Sequence, residues 1–250
     1  MTELRGLYKK ELLLSRSTFF SGLLFLFSIF VVGLILSSDN SYLEVFTIMA
    51  LFMHIFYLPL IVLVSLNVEA KTQLWLHNPN SGAKLFLAKL LGGFTYFLVS
   101  LALTSIIAWL VLLNSSDLEL VNDFQGIRDI LLINLSVTIG TVYLSVWALF
   151  YWSLYHSMKK VPFLKNIRWF IIIGLPILLS ALKQFIQSQP FYKRLAEMNA
   201  INLDLANGFQ STNLMIQSSS ISLFTVVLYF IISITVFLFA VWLLERKVEV

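Results

Sequence analysis

Residues 67–89 read NVEAKTQLWLHNPNSGAKLFLAK and separate two long apolar runs of the chain. The segment is polar and amphipathic, and each flanking run is long enough to cross a lipid bilayer as a helix. We therefore expect residues 67–89 to form a loop between two membrane-spanning helices, on one surface of the membrane.

The composition extends this interpretation to the whole chain. The 250 residues are 59% hydrophobic and only 12% charged, and the mean hydropathy is +0.88, far from the averages of soluble domains. The fifth apolar run contains Gly174 and Pro176 and is expected to be short, tilted or kinked. The sequence predicts an all-α integral membrane protein with one transmembrane domain and six spans, at about residues 18–36, 43–66, 90–113, 130–155, 169–182 and 221–244.

The distribution of basic residues predicts the orientation. Lys and Arg near span ends are retained in the cytoplasm. Most of the 17 Lys and Arg residues fall on the side that holds residues 67–89 and both termini, so both termini are expected to be cytoplasmic. The formal net charge of +4 reflects this asymmetry and does not indicate a nucleic-acid partner.

The N-terminal segment is predicted to be an amphipathic helix in the plane of the lipid headgroups, with membrane lipids as its partner. Its apolar arc consists of Leu4, Leu7, Tyr8, Leu12 and Leu14. The residues of interest on this helix are Lys9, Lys10, Glu11 and Arg16. Glu11 falls inside the apolar arc, so it is neutral, snorkels, or pairs with Arg168 or with a residue of the 67–89 loop. A frayed helix that leaves Glu11 in water is the other interpretation.

The enzyme motifs H-E-x-x-H and G-x-S-x-G are absent, and the two S-x-x-K matches, at residues 81–84 and 180–183, lack their partner motifs and arise readily by chance. His54, His77 and His156 lack metal-ligand spacing, and no glycine opens a P-loop, so no metal site, cofactor or enzymatic activity is predicted on this chain. The spans also carry almost no ionisable groups that could couple transport to an ion. His54 is the exception, and a hydrogen-bonded packing residue is the simpler interpretation of it than a proton relay.

The 67–89 loop resembles the segment after the second helix in permease subunits of the type-two ABC exporter family. Six spans, cytoplasmic termini and a long outer loop before the last span also agree with that family. The start of the chain, Lys9-Lys10-Glu11-Leu12 followed by Arg16, resembles the family's amphipathic N-terminal helix. The residues that hold the places of the family's loop pattern are Glu69, Thr72, Leu74, Leu76, Pro79 and Lys89.

The resemblance implies a homo- or heterodimer of membrane subunits docked on cytosolic ABC ATPase subunits, which would bind ATP and Mg. The loop would then be the coupling helix, with contact residues Glu69, Thr72, Leu74, Trp75, Leu76, Pro79 and Lys84. Independently of the resemblance, an aromatic side chain such as Trp75 needs cover in the cytosol, either in a partner's groove or against the inner membrane face. Glu69 is expected to cap or to pair with Lys71 or Arg168, and an ordinary surface salt bridge is the alternative to a mechanical role.

Two further loops carry predictions. Lys159, Lys160 and Lys165 form a second candidate contact on the inner side, for which a headgroup-binding basic loop is the alternative. Phe191, Leu195 and Met198 predict a short amphipathic helix in the outer loop.

The sequence thus predicts the permease subunit of an ATP-driven exporter in a bacterial plasma membrane. The apolar spans favour an amphipathic or hydrophobic cargo, such as a peptide, toxin, lipid or drug. The alternatives are a non-transporting scaffold or sensor subunit and a proton-coupled carrier that uses His54. A passive channel is disfavoured because charged pore rings are absent.

Overall fold

The structure is a computed structural model that describes residues 2–36, 41–72, 80–113, 124–158, 162–197, 200–203 and 219–247. Within these ranges the protein is nearly all helical. The elements in chain order are α1 (Thr2–Leu36), α2 (Ser41–Met53), a 3₁₀ turn (His54–Phe56), α3 (Tyr57–Thr72), α4 (Gly82–Leu113), α5 (Phe124–Ser157), α6 (Pro162–Ser188), α7 (Pro190–Glu197), β1 (Ala200–Leu203), β2 (Ser219–Ser222) and α8 (Leu223–Lys247).

Six segments among the described helices are long and apolar enough to cross a membrane, as the sequence predicts. Their large apolar side chains are widely exposed, with Phe170 at 78% and Ile35 at 77%. Such surfaces are stable in lipid but not in water. The protein therefore has the build of a multi-pass membrane protein, and the six segments are Glu3–Leu36, Val45–Thr72, Gly82–Val111, Leu131–Ser157, Asn166–Ser188 and Leu223–Arg246.

Several span boundaries differ from the predicted ones. Helix α1 is continuous over 35 residues, about 52 Å at 1.5 Å per residue, so it is much longer than the ~30 Å hydrocarbon layer. Helix α4 starts at Gly82, eight residues before the predicted third span. The prediction of a short fifth span is wrong, since α6 continues through Pro176 to Ser188.

A pair of short strands departs from the all-α prediction. Strands β1 and β2 are antiparallel, with Ala200 opposite Ser222 and Leu203 opposite Ser219. Polar and apolar residues alternate in Ile201-Asn202-Leu203, a period that suits a strand better than a helix. The short outer helix predicted from Phe191 and Leu195 is present as α7, while Met198 lies outside the described residues.

The chain divides into two compact units, residues 1–148 and 149–249, and the boundary falls inside α5. In the second unit, Tyr192 on α7 packs edge-on against Phe224 on α8, with 5.6 Å between ring centroids. The guanidinium of Arg168 lies 4.4 Å over the ring of Tyr155. The single transmembrane domain that the sequence indicates stays a prediction.

In the first unit, α1 runs antiparallel to α2 and α3. Lys10 near the start of α1 pairs with Glu69 near the end of α3, and farther along α1 the backbone oxygen of Phe19 accepts a 2.9 Å hydrogen bond from the Tyr57 hydroxyl. Gly22 permits this close crossing, since a Cβ there would lie 2.5 Å from Cε2 of Tyr57.

Helix α4 runs parallel to α1. Lys84 bonds Glu3 near the start of both helices, and Tyr96 donates a 2.7 Å hydrogen bond to the backbone oxygen of Leu12 farther along. The end of α3 and the starts of α1 and α4 therefore meet at the same end of the unit, from which residues 73–79 connect α3 to α4.

Candidate functional site

The predicted coupling segment is described at its two ends. Leu74, Trp75, Leu76 and Pro79 lie outside the described residues, as do Lys159 and Lys160 and the side chain of Lys165. Thr72 ends α3, and its hydroxyl donates a 2.9 Å hydrogen bond to the backbone oxygen of Val68. On the far side, the Leu85 amide donates to the Ser81 backbone oxygen at 3.1 Å, which closes the first turn of α4.

A buried group of charged residues joins these two helix ends to α1. We call Lys10, Glu11, Ser65, Glu69 and Lys89 the ionic cluster. Glu11, Ser65, Glu69 and Lys89 are each only 3% exposed. The cluster therefore takes its residues from α1, from α3 just before the loop and from α4 just after it.

Lys89 is the centre of the ionic cluster. Its Nζ lies 3.0 Å from Oε1 of Glu11 and 2.7 Å from Oε2 of Glu69, and it donates a 2.7 Å hydrogen bond to the Ser65 hydroxyl. Ser65 in turn donates to Oε2 of Glu11 at 2.6 Å. Every proton of this ammonium thus has an acceptor, which is what makes a buried lysine tolerable.

Lys10 completes the charge balance of the cluster. It forms an ion pair with Glu69 and its Nζ lies 3.9 Å from Oε1 of Glu11. Two carboxylates then face two ammonium groups, so the ionic cluster carries no net formal charge, although the Lys10 side chain is 33% exposed. Removing one member of such a set leaves an uncompensated buried charge, which is far more destabilising than losing an exposed pair.

The partners of the two glutamates correct the sequence predictions. Glu69 pairs with Lys10 and Lys89, not with Lys71 or Arg168, and it is buried, so the surface ion pair expected as the alternative is also wrong. Glu11 has the loop-side partner that was one of the predicted possibilities, and the frayed helix that leaves it in water is wrong.

Ser65 was missed, and Lys89 was predicted only as a position of the family's loop pattern and not as a partner of the glutamates, although the sequence contains a signal for each. Lys89 stands alone in an apolar stretch from Leu85 to Leu91, as Glu11 does in its own arc. Ser65 lies four residues before Glu69, which places both on one face of α3. An acid and a base in apolar surroundings on neighbouring helices are candidates for each other's partner.

Helix α4 covers the apolar arc of the N-terminal segment. Leu7 forms a buried cluster with Leu85 and Ala88 of α4, and the Tyr8 hydroxyl lies 2.9 Å from Oγ1 of Thr95. Lys9 and Arg16 on the opposite side are exposed. The predicted two-sided character of this segment is thus present, and the interfacial position in lipid stays a prediction.

A second buried polar group lies midway along the spans. We call His54, Ser100 and Thr104 the histidine cluster. Nδ1 of His54 donates to the backbone oxygen of Ala50 at 2.8 Å, because a carbonyl can only accept. Nε2 lies 3.0 Å from Oγ of Ser100 and 3.3 Å from Oγ1 of Thr104. His54 is 0% exposed, as expected of a hydrogen-bonded packing residue.

The histidine cluster coincides with a break in the second span. Residues 54–56 form the 3₁₀ turn between α2 and α3, and Pro59 follows in the first turn of α3, where a missing amide proton does little harm. The imidazole therefore sits where the helical hydrogen-bond ladder changes its pattern.

An apolar cavity of about 340 Å³ opens beside the same region, between α1 and the broken second span. Gly22, Phe25, Phe56 and Leu60 are among its lining residues, and Thr18 and Ser21 add hydroxyls toward the ionic end. Its size falls in the range of small-molecule sites, and its walls suit an aliphatic or aromatic group.

Comparison with known proteins finds a relative in Bacillus subtilis. Over 176 residues the chain is 31% identical to "Uncharacterized protein YhcE" of Bacillus subtilis (strain 168), and the match covers 68% of this chain and 67% of that protein. No family model matches the chain. No solved structure matches it.

Proposed function

The chain belongs to the family of the Bacillus subtilis protein YhcE, and we propose that it is the membrane-spanning permease subunit of an ATP-driven exporter. In this proposal a separate cytosolic ABC ATPase binds ATP and Mg and supplies the energy, while this chain has no catalytic role. A second permease subunit completes the complex in the bacterial plasma membrane. Both termini and the 73–79 loop face the cytoplasm.

The ionic cluster is the observation that carries the proposal. A loop that transmits force from a motor must be fixed firmly to the helices that it moves. Glu69 lies three residues before Thr72, the last described residue ahead of the loop, and Lys89 lies about two turns into α4. Their 2.7 Å ion pair joins the two helices at the base of the loop, and Glu11 ties both to α1. A push on residues 73–79 would therefore displace three helices together.

The placement of charge in the first unit supports an external energy source. The charged side chains of the ionic cluster lie at one end of the unit and neutralise each other. Among the described residues, His54 is a titratable group midway along the spans, and it already has three hydrogen-bond contacts within the protein. Ion-coupled transporters, in contrast, carry ionisable groups near the membrane centre that change state during the cycle.

The apolar cavity beside α1 supports the class of cargo. Its wall is made of Phe25, Phe56 and Leu60 with few polar atoms, so a sugar or ion would find little to replace its hydration. An amphipathic or hydrophobic cargo, such as a peptide, toxin, lipid or drug, matches this surface.

Docking on the loop is tested by co-purification. The tagged full chain is extracted from native membranes, and co-purifying ABC ATPase is quantified for the wild type, Trp75→Ala and the matched control Trp109→Ala, which changes a tryptophan in α4 away from the loop. We expect Trp75→Ala to weaken association by about 2 kcal/mol, roughly thirtyfold, and the control to leave it unchanged. Full ATPase retention by Trp75→Ala and by Leu74→Ala/Leu76→Ala would refute docking at this loop.

Orientation is tested separately, because the chain lacks cysteine. Single cysteines at Ser38, Ser116 and Ser211 should react with a membrane-impermeant maleimide in intact cells, and cysteines at Ser81 and Lys160 should react only after the cells are opened. Labelling of Ser81 in intact cells would place the loop outside and remove the basis for ATPase docking.

Vesicles that contain the purified permease and its ATPase distinguish the remaining alternatives. ATP-dependent movement of a hydrophobic dye or peptide is the expected result. ATPase binding without movement of any such cargo would favour a scaffold or sensor subunit.

A further inference from the structure

The second span consists of two helical arms, α2 and α3, joined by the 3₁₀ turn. The segment Val45–Thr72 is long and apolar enough to cross the membrane once, but its helix changes type at residues 54–56. Pro59 has no amide proton, so it gives no α-helical hydrogen bond to the backbone oxygen of Ile55. A 3₁₀ stretch inside a helix and a neighbouring proline are both common sites of bending. The second span can therefore bend at the 3₁₀ turn.

The arm α3 is held by polar contacts at both of its ends. Glu69 near its end forms ion pairs with Lys10 of α1 and Lys89 of α4. At its start, the Tyr57 hydroxyl donates a 2.9 Å hydrogen bond to the backbone oxygen of Phe19 on α1. This arm is thus fixed to its neighbours.

The arm α2 is held by packing instead. The hydroxyl of buried Thr47 donates a 2.7 Å hydrogen bond to the backbone oxygen of Leu43, in the same helix. Among the described side chains of α2, none forms a hydrogen bond or an ion pair with α1 or α4. Ala50 and Leu51 are also buried, but they are small or medium in size. A segment with few buried contacts separates from its neighbours at lower cost than one fixed by charges, so α2 is the arm that we expect to move.

The apolar cavity beside α1 lies at the junction of the two arms. Met53 of α2, Phe56 of the 3₁₀ turn and Leu60 of α3 all line it. Farther from the 73–79 loop, α2 packs directly on α1, since a Cβ on Gly33 would lie 3.0 Å from the Cβ of Phe46. A swing of α2 away from α1 would therefore lengthen the cavity toward the end of the unit opposite the loop.

We propose that the 3₁₀ turn is a hinge, and that α2 swings about it to open the cavity toward the end of the unit opposite the 73–79 loop. His54 keeps the hinge in place, because its Nε2 lies 3.0 Å from Oγ of Ser100 on α4. The helix from Val45 to His54 is about 14 Å long, so a swing of about 30° moves its far end by about 7 Å. The hinge is independent of the exporter, whereas its use as a gate for cargo rests on the proposed function.

The hinge is tested by distances between two spin labels on the full chain in lipid nanodiscs, measured by double electron–electron resonance. The chain lacks cysteine, so each pair of labels is placed on two introduced cysteines. The α1–α2 pair is Leu34→Cys/Val45→Cys, and the matched α1–α3 pair is Leu13→Cys/Val68→Cys, all at exposed positions. We expect the α1–α2 distances to spread over several ångströms or to form two populations, and the α1–α3 distances to form one narrow population.

Pro59→Ala distinguishes a hinge from fraying at the end of a helix. The alanine amide can donate to the Ile55 oxygen and stiffen the turn, so the α1–α2 distances should become as narrow as the α1–α3 distances. Leu60→Ala is the matched control, because it shortens a neighbouring exposed side chain without adding a backbone donor, and the α1–α2 spread should remain. Equal widths for the two pairs in the wild-type background would overturn the hinge. An unchanged spread in Pro59→Ala would also overturn it and assign the spread to fraying.

A disulfide in the double variant Gly33→Cys/Phe46→Cys tests the gate, since the two Cβ atoms are close enough for the bond. In vesicles that contain the ATPase, the oxidised variant should lose ATP-dependent transport and reduction should restore it, whereas oxidant should not affect the single-cysteine variants. Equal transport before and after reduction would show that α2 does not gate the cavity. Absence of transport by the wild type, together with a broad α1–α2 distribution, would refute the exporter function and support the hinge, so the two proposals fail independently.

Discussion

The ionic cluster and the histidine cluster are both buried polar groups in the first unit, but they stabilise different things. The ionic cluster unites three helices through full charges at the base of the 73–79 loop. The histidine cluster joins two helices at a helix break through an imidazole that donates to one backbone carbonyl and has two hydroxyls within hydrogen-bond distance of its other nitrogen. The first is suited to transmit force, whereas the second resolves the polarity of an irregular helix.

Among the variants that test this contrast, we expect Lys89→Met to cause the largest decrease in the free energy of unfolding. The substitution leaves the Glu11 and Glu69 carboxylates buried with only Lys10 to neutralise them, and breaking a buried ion pair costs about 3–5 kcal/mol. Equilibrium unfolding of the purified chain in mixed micelles measures the loss.

The matched control for Lys89→Met neutralises the cluster instead of unbalancing it. In Lys89→Met/Glu11→Gln/Glu69→Gln the carboxylates are gone, and Lys10, whose side chain is 33% exposed, can reach solvent. This variant should recover most of the lost stability. If the free energy of unfolding of Lys89→Met lies within about 1 kcal/mol of the wild-type value, the carboxylates are hydrated and the cluster does not hold the helices together through buried ion pairs.

Ser65→Ala should have an intermediate effect. The Ser65 hydroxyl accepts from Lys89 and donates to Glu11, so its loss removes two charge-assisted hydrogen bonds while leaving the ion pairs in place. We expect a decrease of about 1–3 kcal/mol in the free energy of unfolding. Ser28→Ala is the control, because that exposed hydroxyl bonds only its own helix at Phe25. Equal values for the two variants would show that Ser65 does not connect the helices.

His54→Leu should have a smaller effect on stability and none on the energy source. Leucine fills a similar volume, and Ser100 and Thr104 can turn their hydroxyls to carbonyls of their own helix, so we expect a loss of about 1 kcal/mol. Transport in vesicles at saturating ATP should persist, and an ATPase partner unable to hydrolyse ATP should abolish it.

A proton gradient provides the contrary test for His54. If the permease alone moves cargo under an imposed gradient, and His54→Leu abolishes that movement, the proton-coupled carrier replaces the exporter as the better interpretation.

The sequence predicted the features that depend on consecutive residues and missed those that depend on contacts between distant helices, as in the two clusters. Hydropathy is a property of consecutive residues, so the six spans and the short helix after Pro190 follow from it directly. The two-sided character of residues 4–16 also follows, because helical period is local. The burial of Glu11 requires α4, whose Gly92 would place a Cβ 3.0 Å from that of Glu11. No local pattern states that these two helices are neighbours.

The features that the sequence did not predict all depend on contacts between residues that are far apart in the chain. Lys89 is 78 residues from Glu11. The sequence offered Lys71 or Arg168 as the partner of Glu69, and Arg168 or a residue of the 67–89 loop as the partner of Glu11. The strand pair likewise joins residues 200–203 to residues 219–222, and the short alternation in one strand does not indicate which segment is its partner. Local patterns gave the elements, and burial against distant elements decided the partners.

The smallest effect is expected for Lys84→Gln, which completes the comparison within one helix. Lys84 and Lys89 both lie on α4, and each pairs with a glutamate on α1, but the Lys84 and Glu3 side chains are 49% and 64% exposed. Water and salt screen such a pair, so the unfolding midpoint should not change measurably. Because the fold is unaffected, reduced ATPase co-purification with this variant would report on docking itself. A destabilisation comparable to that of Lys89→Met would show instead that the start of α1 is fixed mainly through Glu3, and that burial does not distinguish the two lysines.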